Sequence, residues 1–425
     1  MGVQESYPID VEAIRADFPI LDRLVGGDVE TPGQGPDDDT PLCYLDNAAT
    51  SHTPDRVVDT ISEYYRGYNA NVHRGIHQLS QEASVAYEEA HDTVADFVGA
   101  AGREEIVFTK NTTEAENLVA YAWGLAELGP EDSVVLSEME HHASLVTWQQ
   151  IGKRTGAEVR YIRVDDDGRL DMDHAAELID DSTAMVSVVH VSNTLGTVNP
   201  VGELADMAHD HDALIFVDGA QSAPTRPVDV KAMDADFFAF SGHKMCGPTG
   251  IGALYGKEST LDEMQPYLYG GDMIRRVTYD DATWEDLPWK FEAGTPSIAQ
   301  GIAFAAAIEY LEDIGMDAVQ AHEELLAEYA YDRLTEFDDV EIYGPPGDDR
   351  GGLVAFNVDG VHAHDLSSIV NDYGVAIRAG DHCTQPLHDK LGVAASARAS
   401  FYIYNTREEI DRLIDAVADA RDLFA

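Results

Sequence analysis

Leu214-Ile215-Phe216-Val217-Asp218-Gly219-Ala220-Gln221-Ser222 is a short apolar run that ends on a carboxylate. A run of this length, closed by a turn signal, reads as a buried strand. Its Asp218 then sits at the carboxyl edge of a sheet, where ligands of open α/β folds bind. Six further runs have the same character: Glu105–Thr109, Ser133–Ser137, Val159–Val164, Ala184–His190, Phe237–Phe240 and Gly252–Tyr255. Helical patterns separate the seven. That alternation predicts an α/β fold whose sheet is mostly parallel and covered on both faces.

Past these runs, the pattern turns helical from about Ile302 to Leu334, with Ala303, Ala306, Ala307, Tyr310 and Leu311 on one side. Pro345-Pro346-Gly347-Asp348-Asp349 predicts a turn, Leu353–Val358 a strand and Asp365–Tyr373 a helix, together a smaller α+β domain. At the other end, Val11–Leu24 reads as a short helix. Thr31–Asp39, rich in Gly, Pro and Asp, reads as a surface loop.

The 425 residues include 79 acidic and 27 basic side chains, a formal charge of -52. A chain this acidic repels phosphate backbones, which excludes nucleic acid as a default partner. The sequence has no run of about 18 uncharged apolar residues, and it is acidic from Glu5 onward. Neither a membrane span nor a secretory signal is therefore expected. Seven of the basic residues are lysine and 20 are arginine. Acid excess along the whole chain, with so little lysine, suggests a surface suited to high salt, where screening tames self-repulsion. Cys43, Cys246 and Cys383 lack CxxC spacing, so neither a zinc cage nor a disulfide framework is expected and a reducing cytoplasm is the natural location.

Five segments are candidates for chemistry. Phe240-Ser241-Gly242-His243-Lys244 places a lysine at a strand end, where desolvation would lower its pKa and make it a Schiff-base nucleophile; a surface lysine beside a turn is the plainer reading. Asp218 could pair with a cofactor ring nitrogen, or simply cap a helix. Thr109-Lys110-Asn111-Thr112-Thr113-Glu114-Ala115 opens a helix and permits an anion site, although N-capping by Thr112 explains the same residues. His141 and His142 are adjacent and cannot both face one metal, so stacking of one ring on a flat cofactor is the sharper reading. In Ile377-Arg378-Ala379-Gly380-Asp381-His382-Cys383-Thr384-Gln385-Pro386, Cys383 is the one cysteine in a polar, turn-rich setting, where nearby Arg and His could favour a thiolate; an incidental loop thiol is the plainer reading.

With Tyr44-Leu45-Asp46-Asn47-Ala48-Ala49-Thr50, His190–Thr197, Phe291–Pro296 and Arg398–Thr406, these segments resemble the SUF-type cysteine desulfurases, in the class V aminotransferase branch of pyridoxal-phosphate enzymes. The resemblance runs over roughly residues 7 to 420. It implies a fold-type I aminotransferase-like α/β architecture: an N-terminal segment over 1–43 packing with the small domain, a large pyridoxal-phosphate domain with a seven-stranded sheet over 44–300, and a small domain carrying the catalytic-cysteine loop over 301–425.

The family's roles pass to matching positions. Lys244 looks like the residue that binds the cofactor aldehyde, Asp218 the partner of the pyridine nitrogen, Gln221 the donor to the ring hydroxyl. His141 resembles the ring-stacking catalytic histidine, with His142 a close second. Thr112, Thr113, Ser241 and His243 match phosphate ligands. Thr295 matches a residue reaching the other subunit's cofactor, which implies a homodimer. Asn193, Arg378 and Arg398 match contacts to the substrate carboxylate, and Cys383 the persulfide-forming cysteine. L-cysteine and a sulfur-acceptor protein are the implied partners, for iron–sulfur cluster assembly or other sulfur delivery, and no metal site is implied. Asp381 and Thr384 depart from the family's usual His and Ala, and a carboxylate beside Cys383 would disfavour its thiolate. A selenocysteine lyase or another lyase of the branch, and a non-catalytic sulfur-transfer scaffold, are the alternatives.

Overall fold

The computed structural model describes residues 7–25 and 40–424, so the loop expected at Thr31–Asp39 lies outside the described residues. Seven strands form the main sheet: β1 (Ile106–Thr109), β2 (Ser133–Ser137), β3 (Glu158–Ile162), β4 (Thr183–Val189), β5 (Leu214–Asp218), β6 (Phe237–Ser241) and β7 (Gly252–Gly256). Each expected run became a strand, shifted by no more than two residues at either end. Their order across the sheet is β1-β7-β6-β5-β4-β2-β3. All neighbours are parallel except β7, which runs against both β1 and β6.

The sheet is buried on both sides, and β6 shows how. Successive side chains of a strand point to opposite faces. Phe238 and Phe240 join the core that contains Val94 and Phe97 of helix α1 (Gln78–Val98), while Phe237 and Ala239 join the opposite core. That opposite core contains Leu118 of α2 (Thr112–Val119) and Trp148 and Ile151 of α3 (His142–Thr155). Burying one side chain of this size contributes about 2 kcal/mol. A sheet without polar alternation is thus the consequence of helices on both faces.

The helical stretch expected from Ile302 to Leu334 is two helices, α4 (Ile298–Ile314) and α5 (Met316–Thr335). Gly315 separates them at φ 93°, a conformation that ends a helix and that side chains other than glycine's resist. Phe304, Ile308 and Leu311 of α4 pack into the first core; α5 begins there with Val319 and continues into another core from Leu326 onward. The helix expected over Val11–Leu24 is also interrupted. Asp10 caps Val11–Arg15 by accepting from Ala13 N–H at 3.1 Å, and a 3-10 turn over Pro19–Asp22 follows, because Pro19 has no N–H with which to continue an α-helix.

The C-terminal region carries an antiparallel sheet of β8 (Val340–Tyr343), β9 (Leu353–Val358), β10 (Arg378–Gly380) and β11 (Ser396–Ser400), in the order β8-β9-β11-β10. Phe356 of β9, Leu326 of α5 and Ile410 and Leu413 of α6 (Arg407–Phe424) form its core, which also takes in Cys43 and Leu45. Short strand Cys43–Tyr44 pairs in parallel with Val375–Ala376, tying the chain's beginning to this region. Among the described residues no helix is long and apolar enough to cross a membrane.

Candidate active site

The carboxyl ends of β4, β5 and β6 open into a cavity of about 220 Å3, to whose lining Arg378 of β10 and Arg398 of β11 also contribute. Asp218 ends β5 almost fully buried, 4% exposed, and one carboxylate oxygen accepts from Ala220 N–H at 2.8 Å. Gly219 makes that turn possible: a Cβ there would lie 2.1 Å from the Phe238 ring. Desolvation raises the Asp218 carboxyl above its ordinary range, while Lys244 pulls it back down.

Lys244 ends the 3-10 turn that follows β6 and lines the same cavity. Desolvation pushes its ammonium down to about 8, against the opposing pull of Asp218. At neutral pH about a tenth of such a lysine is free amine, against less than about a thousandth at its ordinary value. Lys244 is the kind of lysine that can attack an aldehyde and later carry a proton.

Asn111, not Thr112, caps α2, accepting from Glu114 N–H at 3.0 Å. Thr112 and Thr113 are thereby free to face the cavity. Thr112 N–H donates to Ser241 Oγ at 2.9 Å, and the two hydroxyls lie 2.8 Å apart, which joins the α2 N-terminus to the end of β6. His243 lines the same wall, with its imidazole lowered by burial to about 4 and hence neutral. Hydroxyls at the start of a helix suit an anion.

The adjacent histidines diverge. His141 lines the cavity; its Nδ1 accepts from Ala143 N–H at 3.0 Å, which fixes the ring and its tautomer, and burial lowers its pKa to about 3. His142 turns to the C-terminal region instead. Its N–H donates to Cys383 O at 2.8 Å and its Nε2 accepts from Gln385 N–H at 3.1 Å.

Gln221 faces the cavity with Nε2 donating to Ala48 O at 2.8 Å. Arg398, 2% exposed, donates to Asn193 O at 2.7 Å and pairs with Asp46 at 3.2 Å; the same carboxylate lies 3.8 Å from Arg378. Asn193 donates to His382 O at 2.7 Å, and its Oδ1 is buried without a partner. Cys383 lines the cavity half-buried, whereas burial pushes the thiols of Cys43 and Cys246 far up and away from reactivity. The Asp381 carboxylate is turned onto the backbone, accepting from Cys383 N–H at 2.9 Å, which holds its pKa down. Thr295 lies apart, in a separate depression with Lys110, Gly250 and Tyr267.

Four contributors escaped the sequence reading. Asp46 gathers two arginines from 332 and 352 residues away, a pairing visible only after folding. His382 is a buried member of the cavity wall. Glu116 and Glu140 are fully buried near Asp218 and pushed up to about 8 by desolvation. Glu116 accepts from Trp148 Nε1 at 2.5 Å and Ser187 Oγ at 3.0 Å, and Glu140 from Ser137 Oγ at 2.5 Å and Val189 N–H at 3.1 Å. Nothing in their local sequence separates them from surface acids.

The model of the family described as aminotransferase class-V matches residues 43–413. The chain belongs to that family. A cysteine desulfurase of Haloferax volcanii is 81% identical over the full length of both chains. The apo structure of a cysteine desulfurase from Thermococcus onnurineus matches with a TM-score of 0.89 at 40% identity, covering 100% of this chain and 99% of the other. A cysteine desulfurase from Escherichia coli, solved as an S-sulfonic acid, matches at 0.88 and 37%, covering 98% and 99%. The chain is thus a pyridoxal-phosphate enzyme among the cysteine desulfurases.

The donor set fits that cofactor. A buried carboxylate with one oxygen free of backbone bonds stands ready for a ring N–H, a lysine of lowered pKa for an aldehyde, and hydroxyls at a helix N-terminus for a phosphate.

Proposed function

We propose that this protein removes sulfur from L-cysteine, releasing L-alanine and leaving the sulfur as a persulfide on Cys383 for an acceptor protein. The observation that carries the reading is one cavity lined by Lys244, Asp218 and Cys383 together. Residues 44–300 would hold the cofactor and residues 301–425 bring the nucleophile to it.

Pyridoxal phosphate, when bound, supplies an electron sink for a carbanion at the substrate Cα. Asp218 would hold the ring nitrogen protonated, Gln221 would donate to the ring hydroxyl, and His141 would cover the ring face. Thr112, Thr113, Ser241 and His243 would bind the phosphate. Arg398, with Arg378 and Asn193, would anchor the substrate carboxylate; Arg398 is the stronger anchor because its guanidinium is buried and fixed at both ends. Lys244 as free amine would take the Cα proton and return a proton to the product. The Cys383 thiolate would attack the substrate sulfur: the new S–S bond forms as the substrate's Cβ–S bond breaks, its electron pair stays with the carbon fragment, and that fragment takes up protons to leave as alanine.

Thr295, outside this cavity, would reach the phosphate bound by a second subunit, making the working form a homodimer. The setting is a cytoplasm of high salt, and iron–sulfur cluster assembly is the use we infer for the sulfur. The test is stoichiometry: the holoenzyme given L-cysteine and a thiol reductant should yield alanine and sulfide in equal amounts. Alanine without sulfide, or neither product, would overturn the proposal.

A further inference from the structure

The nucleophile stands in a backbone conformation that its residue types resist. His382 at φ 49° and Cys383 at φ 60° are consecutive non-glycine residues in the left-handed region. Such strain persists only where the surroundings over-determine it. Thr384, fully buried, is the centre of what does so. Its Oγ1 lies 2.9 Å from the Asp381 carbonyl, 2.9 Å from Thr194 Oγ1 and 3.3 Å from His388 Nδ1. A hydroxyl has one proton, so if Thr384 donates to Asp381 O it must accept from Thr194.

Thr194 and its neighbour Asn193 come from the turn after β4, and they hold both sides of the cysteine. Asn193 grips residue 382 through its carbonyl, and Thr194 grips residue 384 through its hydroxyl. Thr194 is itself fixed, since its N–H donates to Ser192 Oγ at 3.3 Å. The cavity wall and the nucleophile's turn are therefore joined by a buried pair of hydroxyls.

We propose that Thr384 and Thr194 are positioning residues that lock Cys383 in its left-handed turn, holding the sulfur atom over the cavity before substrate arrives. The proposal rests on reading Cys383 as the sulfur-accepting residue. Valine has threonine's shape without the hydroxyl, so Thr384→Val leaves the buried Thr194 hydroxyl without its partner and the Asp381 carbonyl with only the N–H of residue 384, at 2.8 Å, while Thr384→Ser keeps the hydroxyl.

The experiment compares holoenzyme forms of wild type, Thr384→Val, Thr384→Ser and Thr194→Val. Two readouts are taken: amide hydrogen exchange over residues 380–386 without substrate, and the rate at which Cys383 gains sulfur after mixing with L-cysteine. In both valine variants exchange should rise about tenfold and sulfur gain should slow about tenfold, with cofactor absorbance and the KM for cysteine unchanged. Thr384→Ser should behave as wild type. Wild-type exchange in the valine variants overturns the lock, as does a Thr384→Ser variant as impaired as Thr384→Val. If Thr384→Val fails to fold, Thr194→Val decides by the same two readouts. Wild-type protein that gains no sulfur on Cys383 refutes the reading of that cysteine, while the exchange data still judge the lock.

Discussion

Replacing Lys244 with methionine in the cofactor-free protein should stabilise it, and the effect should depend on pH. Burial lowers the Lys244 pKa to about 8 from an ordinary 10.5. A lowered lysine pKa means that the unfolded chain binds more protons between those two values, so stability rises with pH across that window. Below about pH 8 the lysine is charged in both states, and the fold carries the whole cost of burying that charge. A shift of about 2.5 units corresponds to roughly 3 kcal/mol. That shift is already net of the opposing pull of Asp218, so the gain at pH 7 should be about 3 kcal/mol. Urea unfolding of both apoproteins in concentrated salt, at pH 7 and at pH 10, measures it. Lys244→Met should unfold at higher urea at pH 7, and the two curves should approach each other at pH 10. Equal midpoints at pH 7, or a difference that grows with pH, would refute the view that Lys244 sits desolvated in the folded chain.

Three further outcomes are expected. Cys383→Ser should bind cofactor with unchanged absorbance but form no persulfide, because a hydroxyl is a far weaker nucleophile than a thiolate at neutral pH; sulfide release at the wild-type rate would contradict this. Asp46→Asn should raise the KM for cysteine about tenfold with a smaller change in kcat, because Arg398 and Arg378 lose the charge that orients them; steady-state kinetics would show it, and a lowered KM would mean that Asp46 merely competes with substrate. Dilution from 1 M to 0.1 M salt should lower the melting temperature and the activity, since the Debye length grows from about 3 Å to about 10 Å around a chain of net charge -52; a melting temperature independent of salt would remove the high-salt reading and leave the catalytic one intact.

What could be read from the sequence was set by local chemistry. Seven apolar runs announce seven strands because a sheet covered on both faces needs no polar alternation, and strand ends then place Asp218 and Lys244 at one edge. Breaks were harder to see. Gly315 lies inside an otherwise helical pattern, and only its φ of 93° reveals two helices. Capping by Asn111 rather than Thr112 is a choice between adjacent residues of equal competence, decided by which side chain reaches Glu114 N–H. Asp46, Glu116, Glu140 and the Thr194–Thr384 pair stayed hidden because their meaning is in partners far along the chain or in burial that no local pattern records. His142 shows the same limit. Adjacent to His141 and of the same type, it binds the Cys383 turn instead of lining the cavity.

On the proposed function, Lys244 chemistry delivers substrate sulfur to Cys383 and to neither other thiol. Holoenzyme exposed briefly to L-cysteine, digested without reductant and examined by mass spectrometry tests it most directly. One added sulfur atom on Cys383, none on the buried Cys43 and Cys246, and none anywhere in Lys244→Ala is the predicted result. Sulfur on Cys43 or Cys246 with Cys383 unmodified, or full labelling of Cys383 in Lys244→Ala, would contradict it.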